Sequence, residues 1–150
     1  MSFSWEPFGR TRQDTPPPAP EPAAPPPQAE PEPSASALSN RPARGLAVLT
    51  CMDCRIDPLA ALGLSLGDAV VLRNAGATVS DDVLRSLAMA HEALGVRGVH
   101  VIAHTDCAAF GGDTDAAIAE AVDGAGRIEA VLPSLRAQSG LLDLSTGRLR

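Results

Sequence analysis

The sequence contains no lysine and no tyrosine, and only one tryptophan and three phenylalanines in 150 residues. Without lysine, every basic side chain is an arginine, the better group for gripping a carboxylate at two points. Basic charge is also scarce. Twelve arginines against eighteen acids give a formal net charge of -6 and a pI near 4.9, which argues against nucleic acid or an anionic membrane as the main partner. Long apolar runs are missing too. Leu46–Leu49 and Val99–Ala103 are the longest, far short of the ~20 residues that span a bilayer. Met1–Arg10 has neither an apolar core nor a cleavage signature, so no signal peptide is expected and the cytoplasm is the expected location. Cysteine is limited to three residues. An odd count without a secretory signal favours thiols or metal ligands over a disulfide framework.

Proline is plentiful but confined. Eleven of the fourteen prolines lie within Met1–Pro33, and Thr15–Ala37 is nearly all Pro, Ala, Glu, Gln and Ser. Such a segment buries too little apolar surface to offset its ordering entropy. Residues 1–40 are therefore expected to form a disordered, partly polyproline-like tail, and residues 41–150 the single folded domain. Phe3, Trp5 and Phe8 are either incidental aromatics in that tail or a short docking peptide.

Within the domain, three apolar runs read as buried parallel strands: Gly45–Thr50, Ala69–Leu72 and Val99–Ala103. A helix is expected between the last two. Ser80 suits its N-cap, Asp81 and Asp82 suit its first turn, and Val83, Leu84, Leu87, Ala88 and Leu94 recur at helical spacing before Gly95. Ala116–Val122 suggests a further helix, and Gly140–Arg150 a late hairpin turning at Ser145-Thr146-Gly147. The order implies an α/β fold with a mainly parallel central sheet flanked by helices. Phe110 is the one aromatic of the domain, so the core must be aliphatic. A domain this small buries only ~60–65% of its unfolded surface, and a partner subunit is expected to complete it.

Three chemically rich clusters follow the three strands directly. They are Cys51-Met52-Asp53-Cys54-Arg55, Arg73-Asn74-Ala75-Gly76 and His104-Thr105-Asp106-Cys107. Ligands of open α/β sheets bind outside the carboxyl ends of the strands, so the three turns converge on one rim. Cys and His are the usual zinc ligands, and two Cys with one His leave one tetrahedral position open, as in catalytic sites. His104 and Cys107, three apart, can share a centre with Cys51 from a neighbouring strand. Taken singly, each has a plainer reading, as a buried thiol or a hydrogen-bonded core histidine.

Asp53 lies two residues from Arg55 on the Cys51 loop, where the arginine favours the carboxylate. It can accept a hydrogen bond from a metal-bound water, occupy the open metal position itself, or form a plain loop ion pair. Cys51-x-x-Cys54 also allows a redox dithiol, although Pro58 disfavours helix at Asp57 and a helix would start at Pro58 itself. Asn74-Ala75-Gly76 reads as a tight turn in which Gly76 allows positive φ or close backbone approach. Asp57, Asp68, Asp106, Asp113 and Asp115 read as surface or capping groups, and His91 and His100 as packing or surface residues.

These three blocks, in this order and at these separations, resemble the signature blocks of β-class carbonic anhydrases. The resemblance covers about Ala47–Gly112 and weakens toward Arg150. It implies zinc held by Cys51, His104 and Cys107, and an Asp53–Arg55 dyad orienting a zinc-bound hydroxide. It implies reversible hydration of carbon dioxide to bicarbonate, in a homodimer or larger homo-oligomer. In some members the aspartate, here Asp53, closes the site by joining the zinc. Departures are Ala108 and Ala77 where the family often has Gly, a short stretch from Gly112 to Leu141, and a Pro-rich tail in place of an N-terminal helix. Other readings on the same residues are an inactive zinc-binding module, a hydrolase of carbonyl sulfide or carbon disulfide, and a Cys51–Cys54 thiol redox protein.

Overall fold

The computed structural model describes residues 34–150. Of the tail expected over residues 1–40, residues 1–33, with Phe3, Trp5 and Phe8, lie outside the described residues. Within residues 34–40, Ala35–Ala37 make one 3-10 turn, and the Leu38 side chain lies against Gly67.

Strand β1 is Leu46–Cys51 and β2 is Ala69–Asn74. The short helix α1, Pro58–Leu62, joins them, capped by Asp57 accepting from Leu59 and Ala60 N–H. Pro58 takes the first helical position, where its missing N–H costs nothing. Helix α2 is Asp81–Leu94 and has the expected ends. Ser80 Oγ accepts from Val83 N–H, and Gly95 closes the helix in the left-handed conformation at φ 78°. Strand β3 is Gly98–His104. All three strands run one or two residues further than their apolar cores, so that Cys51, Asn74 and His104 are terminal strand residues.

Two elements differ from the sequence reading. Helix α3 spans Thr114–Val131, well beyond Ala116–Val122. Within it, Gly124 lies in the buried face with Ala117, Ala121, Ala125 and Ile128. A Cβ on Gly124 would lie 2.8 Å from Val79 Cγ2, so glycine is what lets the helix approach. The second difference is β4, Arg136–Asp143, which begins five residues before the apolar arm at Leu141 and pairs parallel with β3. Its polar start, Arg-Ala-Gln-Ser-Gly, conceals it. The expected hairpin is present: β5, Arg148–Leu149, pairs antiparallel with β4.

The result is a mostly parallel five-stranded sheet in the order β2-β1-β3-β4-β5, with flanking helices. The interior strand β1 is buried from Ala47 onward, as expected of a strand covered on both faces. Gly124 of α3 lies near Val101, while Pro58, Ala61 and Leu62 of α1 share a small void with Ile102. Val101 and Ile102 are neighbours in one strand, so α3 and α1 cover opposite faces. The core is aliphatic apart from Cys51 and Cys107, with Phe110 packed against it. Among the described residues, no helix is long and apolar enough to cross a membrane.

From β1 the chain goes outward to β2, and from β3 it goes outward the other way to β4. Such a reversal opens a crevice at the carboxyl ends of the two strands. Cys51 ends β1 and His104 ends β3.

Candidate metal centre

Cys51, His104 and Cys107 meet in that crevice. All three are buried, and their donor atoms lie within 4.8 Å of one another. The sulfurs of Cys51 and Cys107 are 3.9 Å apart. Two thiolates at ~2.3 Å from a tetrahedral zinc would stand about 3.8 Å apart, so the pair has the right spacing.

His104 is oriented for the same purpose. Its Nδ1 lies 2.9 Å from the carbonyl oxygen of Thr105. A carbonyl can only accept, so Nδ1 carries the proton and Nε2 presents a lone pair. Nε2 is buried without a hydrogen-bond partner, a costly state unless something else binds it. The backbone carbonyl thus fixes the tautomer, as outer partners of metal-bound histidines do. Burial pushes the Cys107 thiol above its ordinary pKa, so that thiol becomes anionic most readily against a cation. The three residues therefore fit a zinc ion.

Two loops complete the surroundings. Gly76, at φ 72°, donates its N–H to Cys51 Sγ at 3.4 Å. A Cβ there would lie 2.8 Å from Phe110 Cε2, so the expected close approach is real and only glycine satisfies it. Asp53 and Arg55 form a two-point pair, with Nε to Oδ1 at 3.0 Å and Nη2 to Oδ2 at 2.7 Å. The Arg55 backbone N–H also reaches Oδ1 at 2.9 Å. The Arg55 guanidinium, followed by this N–H, holds the Asp53 carboxyl well below the usual carboxylate range. In turn, Asp53 and then Asp106 raise the pKa of Arg55. A cavity of about 300 Å³ opens beside the centre, lined by Cys51, Met52, Asp53, Ala75, Ala108 and Ala109.

The structure thus brings together Cys51, His104 and Cys107, with Asp53 and Cys51 lining one cavity. Asp53 lies outside the three-ligand cluster and is held on Arg55. Cys54 is exposed, whereas the sulfur of Cys51 is buried against Cys107. Two residues gain contacts that the sequence did not disclose. Arg73 donates to the backbone carbonyls of Cys51 at 3.0 Å and Asp53 at 2.6 Å, bracing the loop. Asp106, read as a surface group, accepts from Arg55 Nη1 at 2.9 Å through its carboxylate and from Nη2 at 3.1 Å through its carbonyl. Its position between His104 and Cys107 was the available signal.

Comparison with known proteins agrees with this geometry. The family model of carbonic anhydrase matches residues 46–142. Beta-carbonic anhydrase 1 of Mycobacterium tuberculosis is 47% identical over 66 residues, covering 44% of this chain and 40% of the relative. Carbon disulfide hydrolase of Saccharolobus solfataricus is 39% identical over 101 residues, covering 64% of this chain and 50% of that protein. The chain thus spans half or less of the length of these curated relatives. The crystal structure of carbonic anhydrase from Streptococcus mutans superposes with a TM-score of 0.63 at 32% identity, covering 73% of this chain and 82% of the other. With the family model matched over most of its folded residues, the chain belongs to the β-carbonic anhydrase family.

Proposed function

We propose that this chain is a zinc enzyme that hydrates carbon dioxide reversibly to bicarbonate, with Cys51, His104 and Cys107 as metal ligands and Asp53 and Arg55 as the orienting pair. The observation that carries this reading is the buried, unpartnered Nε2 of His104 beside two buried cysteine sulfurs. Zinc held there supplies a Lewis acid that lowers the pKa of water to about 7, making a nucleophile available near neutral pH.

The chain's own residues then orient that chemistry. Asp53 stays ionised because Arg55 grips it, and an ionised carboxylate only accepts hydrogen bonds. Its lone pairs not taken by Arg55 accept a hydrogen from water in the cavity, which leaves an oxygen lone pair facing the substrate. Arg73 fixes the backbone that carries Asp53. Met52, Ala75, Ala108 and Ala109 give the cavity apolar walls, suited to an uncharged linear molecule that needs no donor.

A second reading keeps the centre and changes the substrate to carbon disulfide, or to carbonyl sulfide. It is supported by the likeness to a carbon disulfide hydrolase and by the same apolar walls, since both molecules present an electrophilic carbon. A homodimer or larger homo-oligomer belongs to the proposal, supported by exposed Val71, Met89, Val122 and Val131 on a small aliphatic domain. So does a cytoplasmic site of action, where metal-ligating thiols stay reduced.

The test is zinc content, carbon dioxide hydration and carbon disulfide hydrolysis on one purified sample at pH 7 and pH 8.5. One zinc per chain with hydration supports the proposal, and hydration only at pH 8.5 points to Asp53 occupying the open metal position at pH 7. Turnover of carbon disulfide alone selects the second reading. Zinc without either activity leaves an inactive zinc-binding module, and a zinc-free protein turns attention to Cys51 and Cys54 as redox thiols.

A further inference from the structure

Asp53 touches the Arg55 guanidinium and lines the same cavity as Cys51, one of the three candidate metal ligands. Its backbone is not free to choose. The Asp53 carbonyl accepts from Arg73 Nη2 at 2.6 Å and from Ile56 N–H at 3.1 Å. Only the side-chain torsions can exchange one partner for the other. Which partner wins depends on how firmly Arg55 itself is held.

Arg55 is half exposed, with 49% of its side chain open to solvent. A long arginine side chain so placed would sample several rotamers. What fixes it lies on its far side. Asp106 presents two acceptors at once, Oδ2 to Nη1 at 2.9 Å and its own carbonyl oxygen to Nη2 at 3.1 Å. Four of the five guanidinium N–H groups are thereby engaged, two by Asp53 and two by Asp106. The double contact requires an unusual backbone. Asp106 has φ 56° and, with Ala77, is one of two non-glycine residues in the left-handed region among the described residues. Among residues with a side chain, aspartate is one of the few that enter this region readily, and single residues held there cluster where function fixes them. Asp106 is also 75% exposed, so its ion pair adds little to stability. Its contribution is geometric.

We propose that Asp106 is a positioning residue: by holding Arg55 from the far side, it keeps the Asp53 carboxylate on Arg55 and off the open metal position. This rests on the reading that Cys51, His104 and Cys107 hold a metal ion and leave one position free. Asp106 touches neither substrate nor metal and acts through Arg55 alone. Losing it frees the guanidinium and lets Asp53 compete for the metal.

The test uses the full chain loaded with cobalt(II), whose visible absorption reports the metal's ligands, titrated with azide as a small anion that needs the open position. Asp106→Gly tolerates the left-handed backbone and keeps the carbonyl while deleting the carboxylate. It is expected to retain one cobalt per chain but to bind azide about tenfold or more weakly, the worth of one charge-assisted hydrogen bond. Asp53→Ala added to that variant is expected to restore azide affinity, because the competing carboxylate is gone. Should the glycine variant not load cobalt, Asp106→Asn is read in its place and is expected to weaken azide in the same direction. Azide affinity within twofold of the parent, or a loss that Asp53→Ala does not reverse, overturns the proposal and leaves the three-ligand reading intact. A parent chain that takes up no cobalt overturns both.

Discussion

At the scale of single residues, the centre depends on side chains that have few other reasons to meet. Cys107→Ser is expected to lose most bound zinc and to lower the melting temperature, because the ligands come together only in the folded chain. Zinc analysis and thermal denaturation of the same sample check both, and zinc content equal to that of the parent would remove Cys107 from the ligand set. Asp53→Ala is expected to keep zinc and to lose about 10²–10⁴-fold in carbon dioxide hydration, the usual worth of a positioned proton acceptor. Stopped-flow hydration rates matching the parent would end its assigned role. These residues were legible in the sequence because cysteine and histidine are rare here, three of each, and the candidates directly follow apolar runs. Asp106 was not legible in the same way. Its contact with Arg55 depends on a left-handed φ, and nothing about an aspartate between two ligands announces that conformation.

At the scale of elements, glycine separates two kinds of position within α3. Gly124 packs where a Cβ would lie 2.8 Å from Val79, whereas Gly126 has nothing within 4 Å and is exposed. Gly126→Ala is therefore expected to stabilise the fold by about 0.5–1 kcal/mol through helix propensity. Gly124→Ala is expected to destabilise it by about 1–3 kcal/mol through overpacking, despite the same propensity gain. Denaturant unfolding of the two variants checks the opposite signs, and matching signs would refute the close approach of α3. Sequence alone does not separate the two glycines, because their neighbours across the fold, not their own helix, make the difference. The polar start of β4 hid that strand for a related reason: Arg136–Gly140 is held as a strand by parallel pairing with β3, not by an apolar pattern of its own.

The hairpin that follows β4 carries a pH dependence. Ser145 hydroxyl, then its backbone N–H, holds the Asp143 carboxyl below its ordinary pKa, and Arg150 Nη2 donates to the same carboxylate at 3.0 Å. Its stabilising contribution is thus present above the unfolded value of about 3.9 and is lost as pH falls through the lower folded value. Asp143→Asn is expected to melt below the parent at pH 7, with the gap closing as pH falls below about 4. A gap that is constant from pH 7 to pH 3 would contradict this.

At the scale of the whole molecule, the strand order places the site. The reversal between β1 and β3 brings Cys51 and His104 to one crevice, and β2 on the far side of β1 delivers Gly76 to the Cys51 sulfur. The parallel α/β character and the three convergent strand ends were legible because a short, continuous apolar run ending in a polar cluster fits a buried parallel strand and little else. Because two buried thiols and an orphaned imidazole nitrogen occupy that crevice, metal removal is expected to destabilise the entire domain. A chelator should lower the melting temperature cooperatively, and zinc alone should restore it. An unchanged transition after verified metal removal would mean that the crevice is stable without a cation.

Cys51, His104 and Cys107 are expected to hold zinc with one position left over. Zinc K-edge X-ray absorption of the full chain tests it most directly. The expected shell has two sulfurs at ~2.3 Å and two nitrogen or oxygen atoms at ~2.0–2.1 Å. A shell with three or four sulfurs, or with none, would contradict the assignment of Cys51, His104 and Cys107.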